Sequence, residues 1–161
     1  MKKVIYFIVI ALSISANSQN LFTGISIDPG NSIYGSQHND PGIDLQLRTY
    51  AQVSQHIEIG LQVELFPKIE YANVLFNTNY YTSLSPSFEG AVGLEGGQII
   101  RKGTRPGHYH GFFTYGANAE LRYKLSDHFL VSAKSNVQRR PDVVDLNWRL
   151  STYVGLIYKI K

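Results

Sequence analysis

Ten charged side chains stand on stretches of the chain where polar and apolar residues alternate: Glu58, Glu64, Glu89, Glu95 and Glu120, with Arg48, Arg122, Lys124, Lys134 and Arg149. Alternation on an extended backbone sends successive side chains to opposite faces, so these five acids and five bases fall on the polar face of their segments. Ion pairing is the first chemistry such a set offers. If that face is shut away from water, pairing is obligatory, because an unpaired buried charge is too costly to keep. If it lined an open passage, the balanced signs would supply no one-sided field for selective conduction.

Two further groups of residues bear chemistry. Arg101, Lys102 and Arg105 lie in one stretch and Arg139 and Arg140 in another, set against Asp142 and Asp145, and clustered bases of this kind contact phosphates. His108 and His110 share a face of an extended chain and, with His38, make the weak outline of a transition-metal site. No carboxylate partner orients them, so they read as polar loop residues. The triplets Asp28–Gly30 and Asp40–Gly42 read as turns before calcium ligands. No catalytic, cofactor or metal residue is therefore assigned.

Elements of known type must hold these groups. The chain has 161 residues, one domain's worth, with 43% hydrophobic content and no cysteine. The missing cysteine excludes a disulfide framework, a thiolate metal site and an N-terminal lipoprotein anchor. The basic start MKK, the apolar run VIYFIVIALSI and the small residues Ala16-Asn17-Ser18 read as a secretory signal peptide over 1–18, leaving a domain over 19–161. The run is too short to span a membrane as an uncleaved helix. Cleavage near Ser18 would remove Lys2 and Lys3 and so lower the formal charge of +3 by two. The basic balance then carries no argument for nucleic acid.

Period-two alternation predicts eight strands, at about Leu21–Asp28, Ile43–Val53, His56–Phe66, Glu70–Tyr81, Ser87–Ile100, Gly111–Leu125, Phe129–Gln138 and Trp148–Ile160. The fourth is the least regular, since Asn73, Leu75 and Asn77 share a face, and the fifth carries Gly90 and Gly96 on its apolar side. All six prolines fall between segments, where a missing amide costs no ladder hydrogen bond. Long connections alternate with short ones, the third at Pro67-Lys68-Ile69 excepted, and no internal repeat is evident.

The orientation of the two faces decides the fold. A soluble barrel or sandwich would put Ile57, Ile59, Leu61, Val63 and Leu65 inside, and a membrane barrel would put them outside. Ile57 to Leu65 covers roughly 26 Å at ~3.3 Å per residue, or about 20 Å of height at ~40° tilt, close to the ~25 Å lipid-facing band. Aromatics on the apolar face gather at strand ends: Tyr80, Phe88, Tyr123, Phe129 and Tyr158 toward the short turns, Phe113 and Trp148 toward the long loops. That is the placement of two interfacial girdles. The polar face carries Gly24, Gly60, Gly116 and Gly155 among its charges, as a narrow interior requires. These features predict an all-β protein: an eight-stranded antiparallel up-and-down transmembrane β-barrel with charges filling its lumen.

On this pattern the chain, from Asn20 to Lys161, resembles the small eight-stranded outer-membrane β-barrels of the OmpA/OmpX-like group. The ending WRLSTYVGLIYKIK resembles their C-terminal strand, with Tyr158 and Ile160 in place and Lys161 where the final aromatic usually stands. The resemblance implies an outer-membrane location in a Gram-negative cell, lipid and lipopolysaccharide as surroundings, and the barrel-assembly machinery as a partner during biogenesis. Oligomeric state is left open. It implies a structural or surface-interaction role through long outer loops; the bases Arg101, Lys102, Arg105, Arg139 and Arg140 read as a solvated rim before they read as lipopolysaccharide contacts. Two alternatives differ in class. Ser132–Asn136, SAKSN, is similar to the His-X-Ser-Asn motif of lipid A 3-O-deacylases, with Ser135 at the nucleophile and Asn136 beside it, but Ala133 replaces the histidine base. A soluble periplasmic binding barrel would instead need the apolar face inside.

Overall fold

The computed structural model describes residues 20–34, 41–102, 108–142 and 148–160. Eight strands run β1 (Asn20–Ile27), β2 (Leu45–Gln52), β3 (Ile57–Phe66), β4 (Tyr71–Ser83), β5 (Phe88–Lys102), β6 (Tyr109–Lys124), β7 (Phe129–Arg139) and β8 (Trp148–Lys159). Each pairs antiparallel with its neighbours in sequence, and β8 returns to β1 to close the barrel. Closure leaves no strand edge unpaired, as backbone in a bilayer requires. Among the described residues no helix is long and apolar enough to cross a membrane.

The polar face is inside. In β3 Glu58, Gln62 and Glu64 are at most 1% exposed, while the isoleucines, leucine and valine between them are half-buried on the outer wall. Leu94, Phe113 and Leu150 stand 71%, 69% and 67% exposed on that wall. This arrangement inverts a soluble barrel, so the reading with an apolar interior pocket does not hold. Interior glycines make room: a Cβ on Gly60 would lie 2.6 Å from Asn77 Oδ1 and 2.7 Å from the Tyr50 ring.

Three short turns at one rim are built alike. In Ser54–Ile57, Ser85–Phe88 and Ser126–Phe129, the serine Oγ accepts the amide of the residue three ahead at 3.1 Å. The residue before each serine donates its amide to the carbonyl of that same third residue, at 3.0, 2.9 and 2.9 Å. The carbonyls of His56, Ser87 and His128 then accept the amides of Tyr81, Lys124 and Lys159 on the next strand. This is a repetition at the level of turns, VSQHI, LSPSF and LSDHF, that a search for longer repeats passes over. A serine hydroxyl that caps its own turn explains why each has this sequence.

Above these turns sits the expected inner girdle. Phe88 packs on Tyr123 at 4.9 Å between ring centroids and Phe129 on Tyr158 at 5.1 Å, with His56 stacked on Tyr80 and His128 on Tyr158. At the opposite rim Trp148 meets Tyr115 edge-on at 5.6 Å, and Tyr115 meets Phe113.

The long first connection departs from a plain turn. Pro29–Tyr34 forms a short helix, α1. Asp28 caps it, its Oδ1 accepting the Asn31 amide at 3.0 Å, and Pro29 takes the first helical position, where a missing amide is harmless. Asp28 is thereby a helix cap. Asp40 lies outside the described residues.

Candidate functional site

The barrel interior carries a ladder of ion pairs joining strands that are not neighbours. Arg122 on β6 donates Nη1 and Nη2 to the two oxygens of Glu58 on β3, each at 2.7 Å, and Nε and Nη2 to Glu120 Oε2 at 3.0 and 2.8 Å. Arg48 on β2 reaches the other oxygen of Glu120 at 2.6 Å and donates to the Ser132 hydroxyl. Both guanidinium groups lie over the Tyr50 ring, Arg122 at 5.1 Å and Arg48 at 5.5 Å, which favours cations in a dry place.

A second rung lies toward the long loops. Lys134 Nζ donates to Glu95 Oε2 at 3.0 Å and to Gln62 Oε1 at 2.5 Å, while Asn136 Nδ2 donates to Glu95 Oε1 at 2.7 Å. Pairs this deeply buried hold position only when geometry is good and the remaining lone pairs are satisfied, and here amides supply that. Lys124 and Glu89 pair at 3.0 Å in the half-exposed mouth at the short-turn rim. That mouth is a vestibule of about 600 Å³ floored by Phe22 and Leu130.

Glu64 and Arg149 stand apart from these rungs. Glu64 accepts from Tyr71 Oη at 3.3 Å and Asn73 Nδ2 at 3.1 Å. Arg149 lies at the outer end, with Arg140, Asp142, Tyr71 and Arg101 as its electrostatic neighbours. Beside Glu64, just before β2, Asp44 is fully buried, and among the described residues its carboxyl meets no donor except the carboxyl of Glu64. Burial first, then the charges of Glu64 and Asp28, push Asp44 up to about 9, so it holds a proton at neutral pH.

Two apolar layers bracket the ladder. Phe22, Tyr50, Leu130 and Ile157 cluster at the short-turn end. Phe66, Tyr71 and Ile99, with Phe112 packed against them, cluster at the long-loop end. Sequence reasoning missed both, because each strand contributes a single apolar residue to a face that otherwise reads polar. Leu75, on the irregular face of β4, is likewise inward and fully buried.

The five bases expected at the outer rim divide. Arg140 is 1% exposed and donates Nε to Asp142 Oδ1 at 2.8 Å, over the Tyr71 ring at 4.6 Å. It is an interior residue and not a lipopolysaccharide contact, because the inward parity of β7 continues one residue past the strand. Arg101 also faces the mouth, bonded to Asp142. Lys102 pairs with Glu70 at the surface, and Arg139 lies outward at 5.8 Å over the Tyr115 ring. Arg105 and Asp145 lie outside the described residues.

The residues of the Ser132–Asn136 segment divide between the two faces of β7. Ser135 faces outward and meets the Thr152 hydroxyl at 3.1 Å, which is no base, while Asn136 turns inward to Glu95. His108 and His110 are exposed, His38 lies outside the described residues, and no group of three His, Cys, Asp or Glu among the described residues is placed to hold a metal.

No family model matches the sequence, and no curated protein matches it. Solved structures do. The N-terminal β-barrel domain of Pseudomonas aeruginosa OprF aligns with a TM-score of 0.62 at 11% identity, over 89% of this chain and 99% of that one. A de novo designed transmembrane β-barrel aligns with a TM-score of 0.61 at 11% identity, over 89% and 97%. At such identities the likeness is one of fold. The chain therefore has the fold of a small eight-stranded β-barrel membrane protein of the OmpA/OmpX-like kind.

Proposed function

We propose that this protein is a closed outer-membrane barrel with a structural or surface-interaction role exerted through its outer loops, and not a pore. The observation that carries the reading is the order of layers along the interior: apolar cluster, paired charges, apolar cluster. A hydrated ion would have to break buried ion pairs and pass two dry constrictions, and dewetting of such constrictions blocks conduction. Planar-bilayer recording of the refolded protein tests it, with no unitary steps above the bare membrane expected. Stable open steps in neutral buffer would overturn it.

An outer-membrane location follows from this reading, with the chain exported by a signal peptide cut near Ser18 and folded by the barrel-assembly machinery. In this reading Arg139 and Lys102, which face outward at the long-loop rim, would meet lipopolysaccharide phosphates. The reading assigns no catalytic step. Ser135 has a hydroxyl neighbour instead of a base, and lipid A of unchanged mass after expression is the expected result. Loss of an acyl chain that depends on Ser135 would contradict it.

A further inference from the structure

The three short turns place three equivalent units at one rim. Ile57, Phe88 and Phe129 stand opposite Tyr80, Tyr123 and Tyr158 on the following strand, and the residues just before them are His56, Ser87 and His128. The register thus sets a tyrosine of the girdle beside every turn, and in two of the three a histidine stacks on it, at 5.4 Å for His56 on Tyr80 and 6.1 Å for His128 on Tyr158. Both pairs are exposed.

Each of these pairs heads an apolar groove in the outer wall. Tyr80 and Leu84 open a groove of about 540 Å³ that continues over Gly90, Ala119 and Ala133 to Ser135, the small side chains making the depression. Tyr158 and Phe129 open a second, of about 310 Å³, lined by Ile25, Leu47 and Leu156. Ser135 stands six residues along β7 from Phe129, roughly 20 Å at ~3.3 Å per residue, a length that an extended acyl chain covers.

The polar head of the groove selects what lies in it. His56 Nδ1 is 3.3 Å from the Tyr81 carbonyl, which can only accept, so Nδ1 carries the proton and Nε2 is the nitrogen left for a ligand. An ionised phosphodiester offers only acceptor oxygens, so Nε2 engages it by taking up a proton, and the imidazolium then matches the phosphate charge. The tyrosine hydroxyl is a second donor beside it. The titratable groups around the rings are Tyr80 and Tyr81 at His56, and Asp127, Tyr158 and Lys159 at His128. We propose that His56 with Tyr80 and His128 with Tyr158 head two phospholipid-binding sites in the leaflet at the short-turn rim, each holding the headgroup phosphate while the groove takes one acyl chain. The proposal rests on the membrane-barrel reading, in which this wall faces lipid.

The test uses the folded full-length barrel in maltoside micelles, which carry no phosphate, at neutral pH, with the histidine ring signals followed by NMR. Phosphatidylglycerol should move the His56 and His128 signals saturably. Diacylglycerol, with the same chains and no phosphate, and inorganic phosphate, with no chains, should not. Ala133→Leu fills the first groove alone and should weaken binding read at His56 about tenfold, the equivalent of roughly two displaced methylene contacts, while binding read at His128 is unchanged. A response to phosphatidylglycerol that does not saturate, an equal response to either control, or an Ala133→Leu variant that binds like the parent overturns the proposal. If Ala133→Leu fails to fold, the three titrations of the parent decide. Conductance is a separate measurement, so failure here leaves the closed-barrel reading standing.

Discussion

Arg122 and Glu58 face each other across the barrel interior in a two-pronged ion pair, 2.7 Å on each side, joining strands that are three apart in the sheet. Breaking such a pair from one side leaves a charge buried without its partner. Glu58→Gln should therefore cost about 3–5 kcal/mol in urea unfolding from lipid vesicles. Glu58→Gln together with Arg122→Gln should cost less than the sum of the single changes. Simple additivity would show that the pair does not interact.

Asp44 makes stability depend on pH in a defined direction. Its folded pKa of about 9 lies above the ordinary 3.8, so the folded state binds the proton more tightly. Its contribution is fully present below about pH 4 and is lost as pH rises toward 9. Asp44→Asn should flatten the decline between pH 5 and 9 and leave the variant the more stable protein at pH 9. Parallel profiles for the two proteins would contradict the assignment.

Two glycines test the fit of the interior. At Gly60 a methyl group meets Asn77, Thr49 and Tyr50 within 2.7 Å, whereas at outward Gly96 the nearest atom is 3.7 Å away. Gly60→Ala should destabilise by about 1–3 kcal/mol through overpacking. Gly96→Ala should be close to neutral. Equal effects at the two sites in the same unfolding assay would refute the difference in space.

The repeated turn gives a local prediction. Ser126→Ala removes the acceptor of the Phe129 amide and should cost about 1 kcal/mol. Ser54→Ala and Ser85→Ala should behave alike, because their turns are the same. A loss confined to one of the three would mean that the common geometry does not carry common energy.

Much of this architecture is legible in the sequence because the side-chain period of a strand is a property of backbone geometry. β7 and β8 begin at Phe129 and Trp148 as the alternation places them, and all eight strands are present. What alternation does not reveal depends on neighbours distant in sequence. Phe22, Phe66, Ile99 and Ile157 are apolar residues on otherwise polar faces, and only the pairing of strands, with β8 returning to β1 for the Phe22 layer, stacks them into two layers. Arg140 read as a rim base because Pro141 follows it and marks the end of the strand. Its inward turn depends on Asp142 and Tyr71, which no local pattern connects. The helix at Pro29–Tyr34 carried a readable signal in Asp28-Pro29, an N-cap followed by proline, and a turn signal competes with it at the same residues.

The absence of cysteine makes the central claim, a sealed polar interior behind an apolar wall, directly measurable at two adjacent residues. Ser132 is inward and 1% exposed, and Ala133 is exposed on the outer wall. In protein refolded into vesicles, Ala133→Cys should react with a bilayer-confined maleimide. Ser132→Cys should react with neither that reagent nor a water-soluble one until the barrel is unfolded. Rapid labelling of Ser132→Cys by the water-soluble reagent, or labelling from the bilayer at Ser132 instead of Ala133, would contradict the account.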